Sequence, residues 1–310
     1  MNKVYIGSRT LTLNGHPALQ KLEKAGLELV FGPPGKRPTE EDQLELVPGC
    51  IAYLAGTERI SEKVLKSAKN LKIISRNGVG VNNIDLKAAK DLAIEVTITP
   101  GSNAQGVAEL AITLMLTAVR SIPNQDKDLK NGKWNRLKGI EIEGKILGIL
   151  GCGNIGKRVI KMALGLGMKV LGYDLYPDQS FNSSNDFKYV SQNEIFKLSD
   201  IISLHVPPGD IPIIDKQALS MMKDGVYIIN TARGEVVDEL ELIEALNTNK
   251  VQSYATDVYK KEPPKIDELI SHPRTICTPH IGAYTEESIN RAVEAAIDNI
   301  LRVLGLDVKN

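Results

Sequence analysis

The sequence predicts an α/β protein built from two doubly wound units with parallel sheets. Three observations carry that prediction. Short apolar, β-branched runs alternate with turns and helix-period segments from end to end, the mark of repeated βαβ units. The alternation falls into two series, separated by the helix-breaking pair Pro100 and Gly101. The chain has 310 residues, more than one compact core usually organises.

The first series places strands at 3–7, 28–31, 50–55, 72–75 and 95–99, with helices at 17–25, 61–69 and 86–92 between them. The second begins at Lys145, with strands expected at 146–150, 169–173, 201–206, 226–230, 253–257 and 275–278. Six strands with crossover helices amount to a full Rossmann-sized sheet. Between the two series lies TPGSNAQGVAELAITLMLTAVR, whose apolar positions Val107, Leu110, Ala111, Leu114, Met115 and Ala118 recur at helical spacing. The break before that helix makes 99–102 a candidate hinge. After Thr285, a good N-cap residue, Ile289, Ala292, Val293, Ala296, Ile297, Ile300, Leu301 and Leu304 share one helical face. If this last helix packs on the first unit, the chain crosses between domains twice. Residues 1–99 with 285–310 would then form one domain and 100–284 the other.

Composition excludes several roles. There are 38 Lys plus Arg against 38 Asp plus Glu, without a run of five or six like charges. That balance argues against a nucleic-acid or membrane-surface partner. No segment approaches the roughly 20 uncharged apolar residues of a membrane span. The N-terminus turns polar after Ile6 and lacks the apolar stretch of a signal peptide. Cys50, Cys152 and Cys277 are odd in number and widely spaced, which argues against a disulfide framework or a metal site. A cytoplasmic location is the expectation.

The strongest local signal is GCGNIG, Gly151–Gly156, set between the apolar strand KILGIL and the helix-like NIGKRVIKMALGLG. In that context Gly151 permits the tight turn, Gly153 clears space for a pyrophosphate, and Gly156 lets the helix pack closely. The helix N-terminus supplies amide donors for phosphate. Asp174 ends the next strand, eighteen residues after Gly156, near the offset at which a carboxylate receives the adenosine ribose hydroxyls. No arginine follows to accept a 2′-phosphate, so NAD is favoured over NADP.

Three later residues narrow the chemistry. Arg233, in INTARGEVVD, lies just past an apolar strand, at the edge where open α/β sheets bind ligands. Its planar guanidinium suits bidentate capture of a carboxylate, although a surface arginine is the plainer reading of the local sequence. Glu262, in KKEPPK, sits in a stiff stretch before two prolines. His280, in CTPHIGA, follows another strand at the same edge. Of the other histidines, His205 ends a strand and competes weakly, whereas His16 and His272 abut prolines and read as surface residues.

Together GCGNIG, Asp174, NTARG, the Asp257 segment, Glu262 and PHIGA resemble, in order and spacing, the D-2-hydroxyacid dehydrogenases over nearly the whole chain. Length and the loop SRNGVGVNNID are most similar to the short type of D-3-phosphoglycerate dehydrogenase, which lacks a C-terminal regulatory domain. The resemblance implies a Rossmann NAD-binding domain inserted in a smaller flavodoxin-like substrate-binding domain, and a homodimer formed through the former. It implies that Arg233 holds the substrate carboxylate, His280 is the general acid/base, and Glu262 orients and tunes His280. Asn77, Gly78, Val79 and Gly80 would complete the carboxylate site. Asp257 would bind the nicotinamide carboxamide, with Val107, Asn154, Ile155, His205, Thr231 and Ala232 also along the cofactor. The partner would be a small 2-keto or 2-hydroxy acid: 3-phosphohydroxypyruvate, or hydroxypyruvate or glyoxylate. A non-catalytic NAD(H)-sensing regulator and a formate- or phosphite-type dehydrogenase are the rival readings. Gly106, Asn82 and PPGDIPII depart from the family's usual serine, aspartate and proline-leucine-threonine run. None of these removes a chemical group. Reducing a 2-keto acid needs a hydride and a proton for the developing alkoxide, and an imidazole whose charged form is favoured by a carboxylate supplies the proton.

Overall fold

A computed structural model describes residues 2–181 and 185–306. They fold as two compact units, one running to Asn103 and resuming at Glu286, the other Ala104–Thr285. In the first, β1 (Asn2–Ile6), β2 (Leu27–Phe31), β3 (Cys50–Ala55), β4 (Ile73–Arg76) and β5 (Glu95–Thr97) form a sheet in the order β2-β1-β3-β4-β5, every pair parallel. That is the flavodoxin-like order, which reverses direction between β1 and β3. The second unit holds β6 (Ile146–Leu150), β7 (Lys169–Tyr173), β8 (Phe187–Tyr189), β9 (Ile201–Leu204), β10 (Val226–Asn230), β11 (Val251–Thr256) and β12 (Thr275–Cys277). Their order is β12-β11-β10-β9-β6-β7-β8, again wholly parallel, with the reversal between β9 and β6.

Helices cover both faces of each sheet, so the strands read as unbroken apolar runs such as VYIIN rather than as alternating patterns. The helix Ala104–Arg120 buries Ala108, Ala111, Leu114, Met115 and Ala118, packing on β10, β11 and the helix Asn154–Gly165. The last helix, Glu286–Leu304, returns to the first unit and packs on β3 and β4 through Val293, Ala296, Ile297, Ile300 and Leu301. Buried Ser75 Oγ donates to the Ala296 carbonyl at 2.8 Å, and Asn299 Nδ2 donates to the Ile98 carbonyl at 3.1 Å.

Several expectations need correction. The second sheet has seven strands, not six: β8 contributes only FKY at the sheet edge, too short for a period to register. The expected helix 17–25 is a 3₁₀ turn, Pro17–Leu19, followed by the helix Gln20–Lys24. The helices Arg9–Asn14, Glu40–Leu46 and Ile122–Lys130 were not foreseen. The fifth strand stops at Thr97, and the 99–102 break is a closed turn in which Thr99 and Ser102 are buried and joined by their hydroxyls at 3.1 Å. His16 and His272 are half-buried, and each ring Nδ1 accepts a backbone N–H, from Ala18 and Arg274 respectively. Among the described residues no single helix is long and apolar enough to cross a membrane.

Candidate active site

Every expected site loop of the second unit leaves a carboxyl end of the sheet. Read across from β12, the strand ends lead to His280, to Asp257 and Glu262, to Thr231 and Arg233, to His205, to the Gly151 turn, and to Asp174. Neighbouring strands lie about 4.8 Å apart, so these residues line one continuous rim. The reversal between β9 and β6 falls inside it, where open α/β sheets receive ligands.

At the reversal the backbones touch. Gly151 has φ 93°, and a Cβ there would collide with the His205 carbonyl oxygen. A Cβ on Gly156 would collide with the Gly151 carbonyl oxygen, so this glycine lets the helix start directly against the turn. Gly153 is different: a Cβ would meet no atom within 4 Å. The helix Asn154–Gly165 begins there without a side-chain cap, leaving its first amides, with the helix dipole behind them, to an anion. Asp174 accepts from Cys152 N at 2.7 Å and from Tyr176 N at 2.9 Å, tying the turn to the end of β7. A carboxylate has about four acceptor positions, so two remain. Lys157 pairs with Asp178, whose carboxyl is held at about 2 by hydrogen bonds from Lys157 and Ser180. Burial pushes the Cys152 thiol up to about 12, which makes it inert at neutral pH.

His205 Nε2 lies 2.9 Å from Ser203 Oγ, while Nδ1 is buried without a partner among the described residues. Burial pushes this imidazole down to about 4, so it is neutral at pH 7. Thr231 Oγ1 is likewise buried and unpartnered. Buried polar groups are rarely left unsatisfied. Two such atoms on one rim, with an open glycine cradle and spare acceptors on Asp174, fit a dinucleotide.

The reacting end is built from β10, β11 and β12. Asn230, fully buried, closes β10: its Oδ1 accepts from Ala232 N at 3.0 Å and its Nδ2 donates to the Arg233 carbonyl at 2.9 Å and to Tyr254 Oη at 3.0 Å. This fixes the turn that presents Arg233, whose Nη1 donates to the Ala232 carbonyl at 2.7 Å. Gly234 has the Tyr259–Lys260 backbone against its Cα, so only glycine lets the turn lie on the loop carrying Glu262. Glu262 Oε1 accepts from Tyr259 N at 3.2 Å, and Oε2 stands 2.7 Å from His280 Nδ1. No hydrogen bond among the described residues joins Arg233 to either. Asp257, 2% exposed, accepts from Thr278 Oγ1 at 2.7 Å, Ile281 N at 2.8 Å and Gly282 N at 2.8 Å. Tyr259 Oη donates to the Thr278 carbonyl at 2.8 Å, clamping the same loop. Val107, nearly buried, packs on Gly282. Asn230, Thr278 and Tyr259 escaped the sequence reading. A polar residue closing the apolar VYIIN was the available signal for Asn230, since a buried amide must be bonded.

In the first unit the Asn77–Gly80 loop follows β4. Asn77 N donates to the Ala55 carbonyl at 2.8 Å and its Nδ2 to Ser8 Oγ at 3.2 Å. Gly78, at φ 141°, lies against the Arg76 guanidinium, which donates to the Asn77 carbonyl. The N–H groups of Val79 and Gly80 have no partner among the described residues.

The family model for the D-isomer specific 2-hydroxyacid dehydrogenase, NAD binding domain, matches residues 112–282. A hydroxypyruvate reductase of Thermotoga maritima is 40% identical over 276 residues, covering 86% of this chain and 89% of that protein. A D-3-phosphoglycerate dehydrogenase of Methanocaldococcus jannaschii is 40% identical over 295 residues, 93% of this chain but 55% of the relative, so the chain spans about half its length. A glyoxylate reductase structure from Paecilomyes thermophila superposes with a TM-score of 0.85 at 29% identity, covering 97% of this chain and 95% of that one. The chain belongs to the D-isomer-specific 2-hydroxyacid dehydrogenase family. It is an NAD-dependent oxidoreductase of 2-hydroxy and 2-keto acids.

The two glycines of the turn should separate on substitution. Gly153→Ala fills empty space: thermal stability should stay within about 1 °C, while the NADH dissociation constant, read by fluorescence titration, rises at least tenfold. Gly156→Ala should lower both stability and binding, because its methyl group meets backbone rather than a flexible side chain.

Proposed function

We propose that the protein reduces a small 2-keto acid, of the hydroxypyruvate or 3-phosphohydroxypyruvate kind, to the D-2-hydroxy acid, with His280 as proton donor. The observation that carries this reading is the 2.7 Å contact between His280 Nδ1 and Glu262 Oε2, made by loops from adjacent strands at the rim. Bound NADH supplies the hydride. With Nδ1 donating to Glu262, the ring presents Nε2 as the acid for the developing alkoxide. His205 is the poorer candidate, since burial keeps it unprotonated at neutral pH.

Arg233 binds the substrate carboxylate and so sets which face of the keto carbon is presented. To do so its guanidinium exchanges the Ala232 carbonyl for a charged acceptor, a stronger hydrogen bond. In the first unit, the Asn77–Gly80 loop offers backbone N–H groups suited to a carboxylate. On the cofactor side, Gly151, Gly153, Asn154, Ile155 and Gly156 hold the pyrophosphate, and Asp174 the adenosine ribose. His205, Thr231, Ala232 and Val107 line the remainder. Asp257 spends three acceptor positions on the His280 loop, and its fourth serves the carboxamide.

In the second unit, Ile122, Leu129, Trp134 and Leu137 are exposed, Trp134 at 81%, within one short stretch. Large apolar side chains exposed together along one stretch suit an interface. We assign it to a second copy of the chain, giving a homodimer through the NAD-binding unit. Light scattering should report twice the monomer mass, and a monomer at micromolar concentration would contradict it.

His280→Ala should lower kcat for glyoxylate or hydroxypyruvate reduction by about 10² or more, the scale of a lost general acid, with NADH affinity retained. Glu262→Gln keeps the shape and removes the charge facing Nδ1, so kcat for the same substrates should fall about tenfold or more with NADH affinity retained. An unchanged kcat would leave Glu262 a structural turn residue, and near-normal turnover of His280→Ala would remove the assignment.

A further inference from the structure

The first unit carries a buried polar cluster that the reading above does not use. Glu58, 1% exposed, lies between the ends of β1 and β3, the reversal point of its sheet. A Cβ on Gly7 would come within 2.5 Å of Glu58 Oε1, and one on Gly56 within 2.7 Å of Oε2, so two glycines are needed to seat this carboxylate. Gly56 N donates to Oε1 at 2.7 Å, and Asn83 Nδ2 holds the Glu58 carbonyl at 2.5 Å. Burial raises the carboxyl above its ordinary range, opposed by backbone N–H groups, by the positive charge of Arg76 and by the Tyr53 hydroxyl. Arg76, at the end of β4, is 9% exposed and is the only buried lysine or arginine among the described residues. It lies under Gly78 and donates to the Asn77 carbonyl.

We propose that Glu58 is a specificity-determining residue that makes this edge unfit for a phosphate, so that the substrate is an unphosphorylated short 2-keto acid such as hydroxypyruvate or glyoxylate. The inference rests on the reading that the Asn77–Gly80 loop takes the substrate carboxylate. The loop adjoins the β3 end, where Asn77 N donates to the Ala55 carbonyl, and neighbouring strand ends are about 5 Å apart, within the reach of a substituent on C3 of a substrate held there. A phosphate dianion gives up its hydration on entering such a site and needs an uncompensated cation in return. The buried guanidinium is poorly placed to serve: it donates to the loop carbonyl, and, standing opposite Ala55 at the paired ends of β3 and β4, its positive charge acts on the Glu58 carboxylate. Arg59 is exposed, and its charge acts on Glu40. Arg9 is exposed at the start of the helix Arg9–Asn14. A hydroxyl in place of the phosphate carries no charge to compensate.

The test follows NADH oxidation by the wild type and by Glu58→Gln with hydroxypyruvate and with 3-phosphohydroxypyruvate. Wild type should favour hydroxypyruvate in kcat/KM by at least about tenfold, and Glu58→Gln, which keeps the Gly56 hydrogen bond but frees the charge of Arg76, should close that ratio about tenfold or more. A wild type that prefers the phosphorylated acid overturns the proposal, as does an unchanged ratio in a folded Glu58→Gln. Should that variant not fold, wild-type inhibition decides: D-glycerate must compete better than 3-phosphoglycerate, and the reverse order overturns the proposal. Absence of NADH oxidation with every 2-keto acid would instead strike the assigned reaction and is distinguishable from both.

Discussion

The carboxylate of Asp257 is the constraint on which the candidate site depends. It is 2% exposed, a position in which an ionised group survives only if its oxygens are satisfied. Thr278, Ile281 and Gly282 satisfy them, and in doing so bend the chain after β12 so that His280 takes φ 53°. A left-handed backbone costs a non-glycine residue about 1–2 kcal/mol. Hydrogen bonds to a charged acceptor contribute about 1.5–3 kcal/mol each, so three of them outweigh that strain. Gly282 eases the approach, since a Cβ would sit 3.2 Å from both Asp257 Oδ2 and Val107 Cγ2 and one of them would have to give by a few tenths of an ångström. The imidazole is therefore delivered to Glu262 by backbone geometry, before either side chain contributes to binding.

The remaining site loops follow from topology. Parallel strands put all their carboxyl ends on one edge, and crossover helices keep the loops there short. Each loop then carries one device that a single residue type permits: Gly151 against His205, Gly156 against Gly151, Gly234 against Tyr259, and Asn230 spanning its own turn. Rigid strand ends supply the spacing, and the loops supply the chemistry.

Much of this was legible in the sequence because its causes are local. Strands buried on both faces must be apolar runs, so VYIIN and KILGIL declared themselves, and the glycine turn carried its strand and helix on either side. What was missed depends on contacts distant along the chain. Nothing in AGTERI marks Glu58 as buried; the approach of Gly7 from another strand, with Gly56, encloses it. That Asp257 also anchors a loop more than twenty residues further on has no local signal. The strand β8 failed for a different reason: three residues at an edge carry too little pattern.

Asp257 holds His280 in position to pair with Glu262. Side-chain nitrogen NMR of His280 reads that pairing directly, comparing the wild type with Asp257→Asn. A proton fixed on Nδ1 and shared with Glu262 is expected in the wild type, and its loss in the variant, where the loop is released. The same fixed Nδ1 signature in both proteins would contradict it.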